Sequence, residues 1–498
     1  MKKTSFLSKI SIKILLNALL SGLFYFNSIA ANIDPEIIDK AYKSSVSIES
    51  RVSVVSYGDT GKWQGTGFIH SIKDGIIITN AHIIGQGAIG NYLITFFNGK
   101  NVEAKLKYYS LWQDFAILQI DPASVPKDVT EIKFSDKEPS QNQSVFIVGN
   151  NEGQSFSFHD GYLSNVFSIN GSMPQHSYVV NLNATGGSSG SPLLNSAGDA
   201  IGISYGAGAT FSLALKSQYI TDALEDLKNN KQPSNKHIGA ICHLYSLDKA
   251  VKHRLFPKEL AQSYLTQFPD SRNNALAVKG TIKGSPAAEK LKSGDIIWAI
   301  NGQQLGANLY ALDKAMNQSK SKQVELTIYR NGQKIQTTID LYDVNANKIA
   351  QIVEFGGAVI FSADDVFSHK SGIPMNSVVI ENIANGMSMS SIPNQWTNGD
   401  RSFYRANILS INNHDIANLS DLISAVCQLA GNNFIKLDFE NYQPYKQNYN
   451  EIIISSHEKL SADITLDNID FNPRVFNFNE QKMQWEVNAL PCSDLKKK

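Results

Sequence analysis

Gly187-Ser188-Ser189-Gly190-Ser191-Pro192 decides the reading of this chain, because Thr79-Asn80-Ala81-His82 and Gln113-Asp114-Phe115-Ala116-Ile117-Leu118 precede it. A serine hydroxyl is a weak nucleophile until a base takes its proton. That base in turn needs a carboxylate to fix its tautomer and stabilise the imidazolium. Ser189 in a glycine-flanked turn, His82 after an apolar run and Asp114 before one supply the three groups. Singly, each has an ordinary structural reading: Gly-Ser-Ser-Gly is common loop composition, and an aspartate before a strand caps a turn. Together, in register, they point to nucleophilic acyl transfer with His82, Asp114 and Ser189 as the catalytic residues.

The order His, Asp, Ser is that of the double β-barrel proteases, one of several unrelated folds that carry this constellation. With Gly65-Thr66-Gly67-Phe68-Ile69-His70 added, the motifs resemble the HtrA (Deg) branch of the chymotrypsin-like serine proteases. The resemblance implies an ATP-independent serine endopeptidase of protein quality control and stress response that cuts unfolded or damaged proteins. It implies an oxyanion hole made by the backbone N–H groups of Gly187 and Ser189. It also implies that the run from Phe211 to Lys216 borders the pocket for the residue before the cut, with Leu213 and Leu215 lining it. No acidic side chain occurs in that run, so a small or medium aliphatic residue is expected there. The commoner family pattern has Asn at position 188 and Gly at position 191, although a GSSGSP variant is found in a eukaryotic branch. Glycine reaches backbone angles that serine adopts only with strain. A second reading therefore stays open: a catalytically silent protease-fold scaffold or holdase that binds peptides through its C-terminal domains.

Residues 33–228 consist largely of short strand-like runs broken by Gly, Asn, Asp and Ser, which suits a mainly β fold of two barrels. His82 then follows a strand, Asp114 precedes one, and Ser189 lies in a loop of the second barrel. A helical spacing of Ile220, Leu224 and Leu227 ends in a polar linker over 229–236. In 237–343, Gly284-Ser285-Pro286-Ala287-Ala288 and Gly294-Asp295-Ile296-Ile297-Trp298-Ala299-Ile300-Asn301-Gly302 resemble the signature of a PDZ domain, an α+β module. Such a domain adds an extended peptide to a sheet edge and captures its terminal carboxylate on backbone N–H groups. Ile238, Gly239, Ala240 and Ile241 form the matching candidate loop. A degenerate second copy is expected over 349–441, with Gly356-Gly357-Ala358-Val359 as its loop, an insertion at 394–404, and a helix at 418–426 capped by Asn418 or Ser420. The extension over 442–498 carries no readable motif.

The chain of 498 residues balances 45 basic against 45 acidic side chains. That offers no electrostatic case for nucleic acid or an anionic membrane surface. Lys2, Lys3, Lys9 and Lys13 precede an apolar stretch ending at Phe26, and Ser28-Ile29-Ala30-Ala31 follows. This predicts a signal peptide over 1–30, cleaved near Ala30, and an exported, periplasm-like location with no stable membrane span afterwards. Cys242, Cys427 and Cys492 lack metal-ligand spacing. Cys242 and Cys427 read as small apolar core residues, and neither metal nor cofactor is expected. Expected partners are unfolded proteins, peptide C-termini at the first PDZ domain, and further copies of the chain. Family kinship implies a trimer or multiple of trimers through N-terminal aromatics, for which Tyr42 is the candidate.

Overall fold

The computed structural model describes residues 33–492 apart from 55–60, 86–88, 172, 385, 393–405, 430–432, 446–453, 468–472, 483 and 491. The leader and the 394–404 insertion lie outside the described residues. The first described element is a helix, α1 (Pro35–Ser44), ahead of the first strand. Its signals are ordinary: Asp34 caps it by accepting from the Glu36 N–H (2.9 Å), and Pro35 occupies the first turn.

Two closed barrels follow. The first contains β1 (Ser45–Val54), β2 (Gly61–Ser71), β3 (Ile76–Thr79), β4 (Ile89–Phe96), β5 (Asn101–Ser110) and β6 (Phe115–Gln119). The second contains β7 (Ser144–Asn151), β8 (Gln154–Asn170), β9 (Gln175–Asn181), β10 (Pro192–Asn195), β11 (Ala200–Ala207) and β12 (Ser212–Lys216). Strand β3, Ile-Ile-Ile-Thr, is buried at every position because one face fills its barrel and the other meets the second barrel. Phe68, Ile78, Phe115 and Ile117 bury against Phe146, Val148, Leu194 and Leu215 in that shared layer. Helix α2 (Gln218–Lys228) adds Tyr219, Ile220 and Ala223 to it.

The next unit opens with β13 (Lys236–His237) and continues through β14 (Ala240–Ser246), α3 (Leu247–Arg254), α4 (Lys258–Gln267), β15 (Asn274–Thr281), β16 (Ile296–Ile300) and β17 (Gln303–Gln304). Helix α5 (Leu309–Asn317), β18 (Gln323–Arg330), β19 (Gln333–Asp340) and β20 (Tyr342–Asp343) complete it. The main sheet runs β14-β15-β16-β18-β19, and β13 pairs with β20. Asn331 and Gly332 both have positive φ (50° and 79°), as a two-residue hairpin turn requires. This domain is docked on the barrels. The Tyr219 hydroxyl donates to Asp313 (2.6 Å), the Tyr310 hydroxyl donates to Asp222 (2.7 Å), and the two tyrosine rings meet edge to face. Burial pushes the Asp313 carboxyl up to about 7, against the pull of the Tyr219 hydroxyl.

The last unit repeats that element order. It runs β21 (Gln351–Phe355), β22 (Ala358–Ser362), α6 (Asp365–Ser371), β23 (Val378–Ile383), β24 (Ala406–Ile411), β25 (His414–Asp415) and α7 (Leu419–Gln428). Asn418 caps α7 by accepting from the Asp421 N–H (3.0 Å). Residues beyond 441, which carried no readable motif, extend this unit. They contribute the end of β26 (Phe434–Tyr445), then β27 (Ile454–Thr465), β28 (Arg474–Asn479) and β29 (Gln484–Ala489). The sheet runs β27-β26-β24-β23-β22-β21-β28-β29. Strand β21 thus pairs antiparallel with β22, on the edge where a peptide ligand adds to a PDZ domain. Gly356 and Gly357 form the hairpin turn between the two strands and are not an open carboxylate loop.

Cys427, read as a core thiol, is disulfide-bonded to Cys492, while Cys242 is free and buried. Sequence separation hid the pair: Cys427 ends α7 and Cys492 follows β29, and only the closing of the sheet brings them together. A cross-link over 65 residues stabilises by about 4 kcal/mol in the chain-entropy picture. Reduction, or Cys427→Ser, is expected to lower the thermal transition of the C-terminal unit and leave that of the barrels in place. Calorimetry with and without reductant checks this.

Candidate active site

Asp114 lies between β5 and β6 with φ at 55°, a left-handed conformation that an aspartate tolerates better than most residues. The Asn80 side-chain amide donates to the Asp114 carbonyl (2.8 Å) and so braces that backbone. The Asp114 carboxylate then grips His82 twice. One oxygen accepts from the His82 backbone N–H (2.9 Å), and the other lies 2.7 Å from Nδ1. This pairing leaves Nε2 as the ring nitrogen able to accept a proton. Burial lowers the imidazole's affinity for a proton, but the charge and hydrogen bond of Asp114 outweigh it. The pKa of His82 is therefore raised above its ordinary value, opposed further by the positive charge of Lys370 on α6.

Ser189 comes from the opposite barrel, in the loop between β9 and β10. Four consecutive carbonyls of this loop are held. Gly186 accepts from the Glu152 N–H (2.9 Å), Ser188 accepts from the Ser191 N–H (3.0 Å), and Ser189 accepts from the Thr66 N–H (2.8 Å). The Gly187 carbonyl accepts from the Thr66 hydroxyl (2.8 Å). Among the described residues, the N–H groups of Gly187 and Ser189 donate to nothing. Two free, fixed donors beside a serine are the equipment for binding an oxyanion. Among the described residues the His82 ring is held by Asp114 and does not bond to Ser189. Such a contact commonly closes only when substrate binds.

The expectation of strain at Ser188 and Ser191 is corrected. Neither has positive φ; the left-handed positions are Gly187 (98°) and Gly190 (88°), both glycine. A Cβ on Gly190 would stand 1.9 Å from the Thr66 carbonyl oxygen, so glycine there is a steric requirement. The Ser188 hydroxyl donates to the Thr185 carbonyl (2.6 Å). Ser191 is buried, and its hydroxyl lies where a Cβ on residue 149 would fall (2.0 Å), a space kept open by Gly149.

The remaining sequence candidates are distributed differently. Leu215 is fully buried in the layer between the barrels, so it lines no pocket; Leu213 is half-buried on the same strand. Ile238 and Ala240 belong to the core of the PDZ domain. The Gly239 N–H, expected to serve a peptide carboxylate, donates instead to Nδ1 of His237 (2.8 Å). Burial holds that imidazole down to about 3, so it is neutral and accepts. The β8–β9 hairpin reaches the same place: Ile169 packs on the PDZ core, and Met173 packs beside Ile241. Asn80 and Thr66 were quoted as parts of motifs but not singled out as site residues. Their roles depend on which backbone groups the barrels bring together. No group of three or more His, Cys, Asp or Glu among the described residues is placed to hold a metal ion.

Replacing Gly190 by alanine is expected to cut the turnover rate by more than about 100-fold, the scale of a lost oxyanion donor. Ser191→Gly, which removes a buried hydroxyl without a partner among the described residues, is expected to stay within about threefold of wild type, as a strain-free change outside the donors should. Rates per titrated site on one peptide substrate compare the two.

Residues 65–203 match the family described as trypsin-like peptidase domain, and residues 265–341 match the PDZ domain family. An uncharacterized protein of Rickettsia prowazekii is 41% identical over 190 residues, 38% of this chain and 97% of that protein. A pro-apoptotic serine protease of Debaryomyces hansenii is 26% identical over 381 residues, 73% of this chain. The chain spans only 38% of that relative's length. Among solved structures, an HtrA-type protease bound to a tripeptide aligns with a TM-score of 0.46 at 18% identity, over 62% of this chain and 96% of that one. The chain therefore shares a family with the Rickettsia prowazekii protein and joins a trypsin-like peptidase domain to a PDZ domain, with proteins named serine proteases among its relatives.

Proposed function

We propose that the chain is an exported endopeptidase that cuts unfolded proteins, with His82, Asp114 and Ser189 as its triad. The two-point grip of Asp114 on His82, facing a loop with two free N–H groups at Ser189, carries this reading. His82 Nε2 takes the proton from Ser189 as the serine oxygen adds to a peptide carbonyl. The carbonyl oxygen becomes an oxyanion received by the Gly187 and Ser189 N–H groups. Collapse of the adduct passes the proton from His82 to the leaving amine and leaves an acyl-serine. Water, deprotonated by the same imidazole, then releases the acid and restores Ser189. The disulfide supports export, since such bonds persist in oxidising compartments.

The first PDZ domain would take the C-termini of extended peptides on β14. The hairpin bearing Ile169 and Met173 lies against that domain, so a peptide would compete with part of the protease domain itself. Self-assembly into trimers is supported by a surface aromatic group in which Tyr42, 37% exposed, packs at a tilt against Phe97 and Phe156 at 5.9 and 5.4 Å. Sedimentation should give a trimer or a multiple of it, shifting to monomer in Tyr42→Ala. An unchanged mass in that variant would remove Tyr42 from the interface.

Purified chain is expected to degrade reduced casein, and Ser189→Ala is expected to be silent. Because the base must be neutral and the His82 pKa is raised, activity should fall as pH drops through a midpoint above the ordinary histidine value of 6.5. Asp114→Asn should lose about 10⁴-fold in turnover. Casein left intact by wild type, with and without an added PDZ-binding peptide, would instead favour the holdase reading.

A further inference from the structure

Thr66 sits in β2 of the first barrel, fully buried, yet its bonds lead into the second. Its N–H donates to the Ser189 carbonyl (2.8 Å), and its hydroxyl donates to the Gly187 carbonyl (2.8 Å). The same hydroxyl accepts from the Asn150 N–H on β7 (2.8 Å), and its own carbonyl accepts from the Thr79 hydroxyl (2.7 Å). Thr79 opens the Thr-Asn-Ala-His motif. One residue therefore ties the strand that precedes His82 to both residues whose N–H groups face the reacting carbonyl.

We infer that Thr66 is a positioning residue for the oxyanion hole, acting through its hydroxyl. A peptide plane is rigid, so fixing a carbonyl fixes the N–H on the other side of the same bond. The hydroxyl pins the plane between Gly187 and Ser188, and the Thr66 N–H pins the plane between Ser189 and Gly190. The plane carrying the Ser189 N–H lies between these two and is held at both ends. The Gly187 N–H is set from one side by the Thr66 hydroxyl and from the other by Glu152 on the Gly186 carbonyl. Without the hydroxyl, the Gly187 carbonyl loses its partner and its plane keeps the bond from the Ser188 N–H to the Thr185 carbonyl (3.1 Å) as its remaining tie, a looser hold beside a glycine whose φ offers little resistance to rotation. The Asn150 N–H would lose its acceptor at the same time. The oxyanion is present only in the transition state, so the loss should appear in turnover and not in substrate affinity.

This inference rests on Ser189 being the nucleophile, so Ser189→Ala is run beside it. The informative comparison is Thr66→Val, which replaces the hydroxyl by a methyl group, against Thr66→Ser, which keeps the hydroxyl. Thr66→Val should lower kcat about 10- to 100-fold, less than the roughly 10²–10³-fold of a lost oxyanion donor because both donors remain, with KM changed by less than about threefold. Thr66→Ser should restore kcat to within about threefold of wild type, since the donor is retained. If Thr66→Val does not fold, judged by its thermal transition, Thr66→Ala against Thr66→Ser carries the same comparison. Full kcat in a folded hydroxyl-less variant, with wild type active and Ser189→Ala silent, overturns the role of Thr66 while leaving the triad intact. A loss confined to thermal stability overturns it equally. Wild type inactive beside Ser189→Ala would instead fail the protease reading itself.

Discussion

Phe68, Ile78, Phe115 and Ile117 of the first barrel bury completely against Phe146, Val148, Leu194 and Leu215 of the second. Each such side chain contributes roughly 1.5–3 kcal/mol on burial, so the barrels are held at one distance and one angle. Everything at the site hangs from strands that carry these residues. Thr79 and His82 follow Ile78, Asp114 precedes Phe115, and Ser189 precedes the strand of Leu194. The polar bonds that cross the seam are short and specific because the apolar layer beneath them leaves no room for sliding. Neither barrel alone carries the constellation: the first holds His82 and Asp114, and the second holds Ser189 with the N–H groups of Gly187 and Ser189 that donate to nothing among the described residues.

Much of this was legible in the chain. The motifs around His82, Asp114 and Ser189 read as one site and lie at one seam, and the two barrels show through runs such as 75–79 and 115–120. The Asn331-Gly332 hairpin and the Asn418 cap were readable for the same reason: each is decided within a few residues. What was not legible depends on distant partners. Leu215 looks like a pocket residue in a strand, and only the approach of the first barrel turns it into core. The expected strain at Ser188 and Ser191 assumed which residues of the turn have left-handed angles. In the folded loop these are Gly187 and Gly190. Cys427 finds Cys492 only after two further hairpins have closed.

The two C-terminal units show how one element order can serve different ends. Both place a strand leading into a helix, a strand leading to a short helical turn, a central strand ending in a left-handed turn, and a helix in the same succession. Asn301-Gly302 in the first is matched by Asn412-Asn413 in the second, all four with positive φ. The first unit keeps β14 at the edge of its sheet, with the β8–β9 hairpin of the protease domain near that edge. In the second that edge is internal to the sheet.

Strand β21 sits on the second unit as a ligand would, but it is joined to β22 by Gly356 and Gly357 alone. Tethering makes the pairing intramolecular, and a short connection holds the occupant at an effective concentration of roughly millimolar or more. Val353 and Phe355 of β21 are buried with residues of α7, and β28 covers its outer edge. A free peptide of ordinary micromolar affinity would meet a competitor that never diffuses away. In this chain the last unit closes with its own strand the edge a PDZ domain leaves open, and what it gains is a continuous sheet.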